Sequence, residues 1–324
     1  MQAIVEVQVH LSGEDRSQAL KSDVLVGMGS NPKSVPPTWF YDEVGSSLFD
    51  DITQLPEYYV TRAERAILSE RSKEIIEISS ADTLVELGSG SSNKTRLLLD
   101  AMAAAGSLEH FVPFDVSESV LLSSAMEINK TYGVPVTAIV GDFRRHLPML
   151  PQSGTRLVAF LGGTIGNLDI GARHRFLTEL EKTLGPGDFL LIGTDLEKDV
   201  GRLIAAYDDA AGVTSRFNRN VLSVLNNELN ADFDIDAFQH VARWNDRERH
   251  VEMWLRSAKD QVVTVRGLDL SVYFEEDEEM LTEVSAKFTE DRLQTELEGA
   301  HFVVSGSWTD EAGDFLVTLA QPYY

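Results

Sequence analysis

The chain has 324 residues, 43% of them hydrophobic and 25% charged, a composition of globular proteins that allows one large domain or two ordinary ones. It contains no cysteine, which excludes disulfides, thiolate metal sites and a cysteine nucleophile. Its net charge of −24, with no Lys/Arg cluster set apart, argues against a nucleic-acid partner, whose phosphates such a field would repel.

No apolar run is long enough to cross a bilayer. The opening residues show no basic segment followed by an apolar one, so no secretory signal is read and a cytoplasmic location is expected. Residues 15–30 are expected to form a helix with Leu20, Val24 and Val26 as its apolar points. Pro32, Pro36 and Pro37 then preclude a regular helix. Trp39–Asp42, Gly45–Phe49 and Leu55–Tyr59 are dense in aromatics. They read equally as a flap packed on the core or as a lid over a pocket, with tyrosine hydroxyls as polar tips.

Thr61–Ser79 reads as a helix leading into a first strand at Leu84–Leu87. The strand breaks at Gly88-Ser-Gly90, and a helix resumes near Lys94 with Leu97, Leu98 and Met102 on its inner side. Strand, glycine turn and helix open a nucleotide-binding α/β unit. The dinucleotide fingerprint is absent, because Asn93 stands where its third glycine belongs, and no Gly-Lys-Ser/Thr of a phosphate loop follows. Glu86-Leu-Gly-Ser-Gly90 is closer to the first motif of S-adenosylmethionine-dependent methyltransferases. The plain alternative is a βα turn that holds no ligand.

A second strand, Phe111–Asp115, ends in an acid able to accept hydrogen bonds from both ribose hydroxyls. Ser117 suits the N-cap of the next helix. A third strand, Val136–Gly141, ends at Asp142-Phe143. An acid beside an aromatic suits an adenine, and Asp142 equally suits a helix cap. A fourth strand, Leu157–Leu161, runs into Gly162–Asn167, which places Asn167 beyond a strand's carboxyl end, where open parallel sheets bind ligands. A helix to Leu184, a turn at Gly185–Asp188 and a fifth strand, Phe189–Gly193, complete the alternation. The fold class is therefore α/β with a mostly parallel sheet.

After Asp195 the alternation stops. Lys198–Ala211, which carries Tyr207, and Phe217–Leu229 read as helices. Glu252–Ser257, Gln261–Val265, Leu268–Phe274 and Leu281–Phe288 are strand-like. Thr289–Gly299 reads as a helix, and His301–Val304 with Phe315–Ala320 as an antiparallel pair closing the sheet. Residues 198–287 are taken as an insertion that, with residues 1–61, builds a second α+β domain for substrate. Residues 62–197 and 288–324 are left as the Rossmann-like sheet domain. The acidic run Glu275–Glu279 lacks calcium-loop spacing and reads as a solvated loop. His240 and His250 lack a spacing that would bring them to one helix face, and read as surface or packing residues. No catalytic triad can be inferred.

Five segments together carry a resemblance: Lys33–Asp42, Leu55–Tyr59, Glu86–Arg96, Gly163–Asn167 and Met280–Ser285. They resemble the actinobacterial L-histidine Nα-methyltransferases of ergothioneine biosynthesis, over about Ala19–Leu319. The resemblance implies a class I methyltransferase domain and a family-specific substrate domain. It implies three successive methyl transfers from S-adenosylmethionine to the α-amino group of L-histidine, giving hercynine, without a metal. It implies that Gly88, Lys94, Asp115, Asp142 and Phe143 hold S-adenosylmethionine, that Asn167 and Tyr207 hold the amino-acid backbone, and that Tyr58, Glu283 and Ser285 face the imidazole.

Those residues make chemical sense in these roles. Glu283 and Ser285 are two apart on a strand-like run and share a face. A carboxylate accepts an imidazole N–H while a hydroxyl serves the other nitrogen. Tyr41 and Phe49 are expected to line the growing trimethylammonium, and Met253 to wall the ring pocket. No residue is assigned a covalent or proton-transfer role; Asn167, Tyr207 and Tyr41 are read as positioning groups. Without the resemblance each tyrosine reads as core packing and Glu283 as half of a surface ion pair. Asn93, Gly163 and Ala286 depart from the family pattern. The expected partner is the small molecule L-histidine, with no nucleic acid and no membrane, and a monomer is expected. The alternatives are a methyltransferase for another amino acid, such as a tryptophan derivative, and a non-catalytic protein that binds S-adenosylmethionine or histidine.

Overall fold

The computed structural model describes residues 4–90, 92 and 94–323, so Ser91 and Asn93 of the glycine turn lie outside the described residues. In chain order come β1 (Val5–Val9), α1 (Gly13–Met28), β2 (Lys33–Ser34), α2 (Glu43–Thr53) and α3 (Val60–Ser79). The alternating section is β3 (Thr83–Leu87), α4 (Arg96–Ala105), β4 (His110–Asp115), α5 (Glu118–Tyr132), β5 (Val136–Val140), α6 (Phe143–His146), β6 (Arg156–Phe160), α7 (Ile170–Thr183) and β7 (Phe189–Asp195). Next are α8 (Val200–Tyr207), α9 (Val213–Leu229), β8 (Phe238–Asn245), β9 (His250–Ser257), β10 (Gln261–Val265), β11 (Leu270–Phe274) and β12 (Glu279–Ala286). The last elements are α10 (Glu290–Gly299), β13 (Phe302–Thr309) and β14 (Phe315–Pro322). Among the described residues no helix is long and apolar enough to cross a membrane.

The chain divides into two units, the first made of Met1–Leu11, Val60–Glu197 and Phe288–Tyr324, the second of Ser12–Tyr59 and Lys198–Lys287. The first unit is built on an eight-stranded sheet in the order β1-β5-β4-β3-β6-β7-β14-β13. Neighbours from β1 to β7 run parallel, while β14 and β13 run antiparallel. The central strands β3, β5, β6 and β7 are buried at every residue, as short continuous apolar runs demand in a sheet covered on both faces. Helix α4 buries Leu98, Leu99 and Met102, while Leu97, expected on its inner side, is only half-buried. Residues 4–11 correct the expected domain boundary. Val5–Val9 pairs with Val136–Val140 as an edge strand of this sheet instead of joining the second unit. Val7 and Val9 are exposed on this strand, as an outermost strand allows.

The second unit has a four-stranded sheet in the order β2-β12-β9-β8 and a separate β10-β11 hairpin. Strand β12 pairs antiparallel with β9, with a register shift between Leu281 and Glu283. The aromatic segment is neither wholly flap nor lid. Its middle is helix α2, capped where the Asp42 carboxylate accepts from Gly45 N at 2.7 Å. The acidic run is not simply a solvated loop either. Glu278 pairs with Lys33, and Glu279 accepts from Arg243 at 2.5 Å and Arg256 at 2.8 Å.

Candidate active site

In the first unit the expected cofactor residues gather at the carboxyl ends of β3, β4 and β5. Gly88 and Gly90 have φ of +73° and +45°, a left-handed backbone that favours glycine, and a Cβ at either would meet nothing within 4 Å. The turn is tied to β4. Gly88 N donates to Phe114 O at 2.8 Å, and Gly90 N donates to the Asp115 carboxylate at 2.9 Å. Ser117 N donates to the other oxygen of Asp115 at 2.9 Å, and Ser117 stands at the helix N-cap without a side-chain cap bond. Burial raises the Asp115 carboxyl above its ordinary range, and the backbone donors Gly90, Ser117 and Val116 draw it back.

Glu86, at the end of β3, accepts from the Thr95 hydroxyl. Burial pushes its carboxyl up to about 7 against the pull of Thr95 and the Lys94 charge. Its Oε2 and the Ser89 hydroxyl are buried without a partner among the described residues, as donors and acceptors kept for a polar ligand would be. Lys94 is held by Glu64, a residue the sequence did not single out. Glu64 is 0% exposed on α3 and also accepts from Gly162 N at 2.7 Å, which joins the turns after β3 and β6.

Asp142 caps α6 by accepting from Arg144 N at 2.9 Å, and its carboxylate also carries the Arg144 guanidinium at 2.8 Å. The cap is thus formed, and an adenine amine would share this carboxylate with Arg144. Phe143 packs on Phe160 and Phe176 with centroids 5.2 and 5.7 Å away. Asn167 ends a 3₁₀ turn, Thr164–Asn167, that follows β6, and is half-buried. Gly163 opens that turn at a φ of +71°.

The second unit contains a small cavity lined by Tyr41, Phe49, Ile52, Tyr58, Ala206, Tyr207, Thr214, Phe217, Met253 and Glu283. Sequence reasoning brought Tyr41, Phe49, Tyr58, Tyr207, Met253 and Glu283 to it. Phe217 was read only as the start of a helix, yet its ring meets Tyr41 at 5.6 Å and Phe49 at 5.9 Å. The period of α9 buries Val213, Phe217, Val221 and Leu225, which was the available signal. Tyr58 stands edge-on to Phe49 at 6.3 Å and to Tyr207 at 6.4 Å.

Glu283 is not half of a surface ion pair. Its carboxylate faces the cavity with no hydrogen-bond partner among the described residues. Burial pushes it up to about 7, and the nearby Lys287 charge only partly offsets this. Ser285 is buried one hydrogen bond behind Tyr207, whose hydroxyl donates to Ser285 Oγ at 2.7 Å. Lys287, 0% exposed, donates to the Tyr207 hydroxyl oxygen at 2.8 Å and to Ser285 Oγ at 2.9 Å. His240 holds the end of α8. Asn218 Nδ2 lies 2.8 Å from His240 Nδ1, which makes Nδ1 the acceptor, so Nε2–H donates to Tyr207 O at 2.8 Å. Burial lowers the His240 pKa and favours this neutral form.

Residues 20–322 match a family model described as histidine-specific methyltransferase, SAM-dependent. The chain is 57% identical over 317 residues to the histidine N-alpha-methyltransferase of Mycobacterium tuberculosis, covering 98% of this chain and 99% of that one. It is 56% identical to the protein of the same name from Mycolicibacterium smegmatis, over 96% of this chain and 97% of that one. It is also 30% identical to ergothioneine biosynthesis protein 1 of Schizosaccharomyces pombe, over 95% of this chain but 40% of that longer protein. The chain belongs to the family of histidine-specific methyltransferases that use S-adenosylmethionine.

Proposed function

We propose that this protein methylates the α-amino group of L-histidine three times with S-adenosylmethionine, giving hercynine, the first step of ergothioneine biosynthesis. The observation that carries the substrate choice is the cavity of the second unit, where one unpaired carboxylate, Glu283, faces aromatic walls. The first unit is assigned to the cofactor and the second to the substrate. The enzyme is expected to work as a cytoplasmic monomer without a nucleic-acid partner.

S-adenosylmethionine, when bound, supplies the electrophilic methyl group. Its holders are proposed to be Gly88, Lys94, Asp115, Asp142 and Phe143. The open face over Gly88 and Gly90, with the unpartnered Glu86 Oε2 and Ser89 hydroxyl nearby, suits an amino-acid nucleoside. Asp115 accepts from the backbone N–H groups of Gly90, Ser117 and Val116, and a carboxylate's roughly four acceptor sites leave capacity for a ribose hydroxyl.

The substrate needs orientation and an amine lone pair left uncovered. Glu283 accepts the imidazole N–H, and Ser285 serves the other ring nitrogen. Tyr207 positions the backbone amine, and Tyr58 flanks the ring. Asn167 is retained as an amino-acid ligand on the strength of its motif alone. As methyl groups accumulate, the faces of Tyr41, Phe49 and Phe217 favour the cation by about 0.5–2 kcal/mol. An indole would offer one donor and no acceptor, so a tryptophan derivative leaves Ser285 unserved.

The test is mass spectrometry after incubation with S-adenosylmethionine and an equimolar mixture of the common amino acids. Histidine heavier by three methyl groups is expected. A methylated product of another amino acid would overturn the imidazole assignments and keep the chemistry. Binding of S-adenosylmethionine with no methylated product would point to a non-catalytic binding protein.

A further inference from the structure

Lys287 lies in the cavity's polar corner without lining the cavity, and no role has yet been given to it. Its ammonium is fully buried and donates to two hydroxyl oxygens, those of Tyr207 and Ser285. An ammonium has three N–H groups and no acceptor, so toward Lys287 both oxygens must use a lone pair. The two hydroxyls are also bonded to each other, with Tyr207 as the donor. Ser285 Oγ therefore accepts twice. A hydroxyl has two lone pairs and one O–H, so Ser285 has only its O–H left to offer a ligand.

We propose that Lys287 is a positioning residue that fixes the polarity of Ser285, making its hydroxyl a donor to the substrate ring. The inference rests on the histidine assignment above and deepens it. A donor at Ser285 and an acceptor at Glu283 match a neutral imidazole, which has one bare nitrogen and one N–H. Glu283, Ser285 and Lys287 alternate along one run, so a single face of β12 and the residue after it supplies acceptor, donor and the cation that orients the donor.

The experiment compares histidine with the better substrate of 3-(pyrrol-2-yl)alanine and 3-(pyrrol-3-yl)alanine, which each keep one of the two ring N–H positions for Glu283 and lack the bare nitrogen. Wild type, Lys287→Met and Lys287→Arg are assayed for kcat/KM on both substrates, with S-adenosylmethionine affinity as the check on folding. Wild type is expected to prefer histidine by tenfold or more. In Lys287→Met a Ser285 lone pair is released, the hydroxyl turns to accept, and the preference narrows by about tenfold, roughly one net hydrogen bond. In the same variant kcat falls while S-adenosylmethionine affinity holds. Lys287→Arg keeps the buried donors and retains the preference, even where its absolute rate is lower.

A preference untouched in Lys287→Met, with both substrates slowed alike, overturns the proposal and makes Lys287 a packing residue. If Lys287→Met loses cofactor affinity and does not fold, Lys287→Arg decides, because loss of the preference there also overturns it. A wild-type preference below about threefold, less than one net hydrogen bond gives, removes the donor role of Ser285 and the proposal with it. Failure of wild type to methylate histidine at all strikes the histidine assignment itself, a separate outcome.

Discussion

At the scale of single residues, Glu283 is a cavity group whose charge changes near neutral pH. Its folded carboxyl is raised from 4.5 to about 7 by burial. Ionised, it accepts an imidazole N–H more strongly than the neutral acid does, so its contribution to histidine binding weakens as pH falls through about 7. The KM for histidine is expected to rise over that interval, and Glu283→Gln to flatten the rise and weaken histidine use, with S-adenosylmethionine binding unchanged. Steady-state profiles of both proteins check this, and parallel loss of cofactor binding would make Glu283 structural. The same shift bears on stability. A raised carboxyl contributes stability that is complete below 4.5 and lost as pH rises through about 7. Glu283→Gln escapes that loss and is expected to exceed wild type near pH 8 by up to ~3 kcal/mol in urea unfolding. Glu283 and Ser285 were singled out by the family resemblance, and strand alternation added only that they share a face. The same spacing reaches Lys287, but a lysine just past a strand reads as solvent-facing until its burial is seen. Glu64 was legible in principle too. Val60, Ala63, Glu64, Ile67 and Leu68 form one helical stripe, and the acid in it was passed over.

At the scale of elements, Glu64 ties α3 to the turns after β3 and β6. Removing it leaves a Lys94 ammonium that is only 24% exposed without its carboxylate, and Gly162 N without its acceptor. Glu64→Ala is expected to cost about 3–5 kcal/mol in denaturant unfolding, the usual size for breaking a buried pair, and to weaken S-adenosylmethionine binding as Lys94 loses its anchor. A loss under ~1 kcal/mol, the size of an exposed pair, would mean the pair is effectively solvated. The central strands and most helices could be read in advance because burial on both faces or on one stripe imposes a period. Three elements could not. Strand β8, Phe-Gln-His-Val-Ala-Arg-Trp-Asn, is a half-exposed edge whose polar residues hide the alternation. Strand β1 is an edge of the other sheet, and with Val7 and Val9 exposed it has no buried face to impose a pattern. Helix α2 carries a glycine, two serines and a threonine, so intrinsic propensity argues against it, and only the Asp42 cap and the packing of its apolar side sustain it.

At the scale of the whole molecule, a net charge of −24 stores self-repulsion in the compact state. Raising the salt from about 10 mM to about 150 mM shortens the screening length from roughly 30 Å to 8 Å. The melting temperature is expected to rise by a few degrees over that range, as calorimetry would show, and a fall would mean that attractive ion pairs outweigh the net repulsion. The order of the large sheet has a further consequence, for synthesis. Strand β7 ends at Asp195, but its neighbour β14 begins only at Phe315, after the whole of the inserted segment 198–287. A ribosome adding about 5–20 residues per second therefore leaves β7 as an open edge for on the order of ten seconds. Throughout that interval the nascent chain offers an apolar strand to any other strand nearby. The finished sheet's stability cannot protect it then, so the yield of folded protein is set by what shelters that edge during translation.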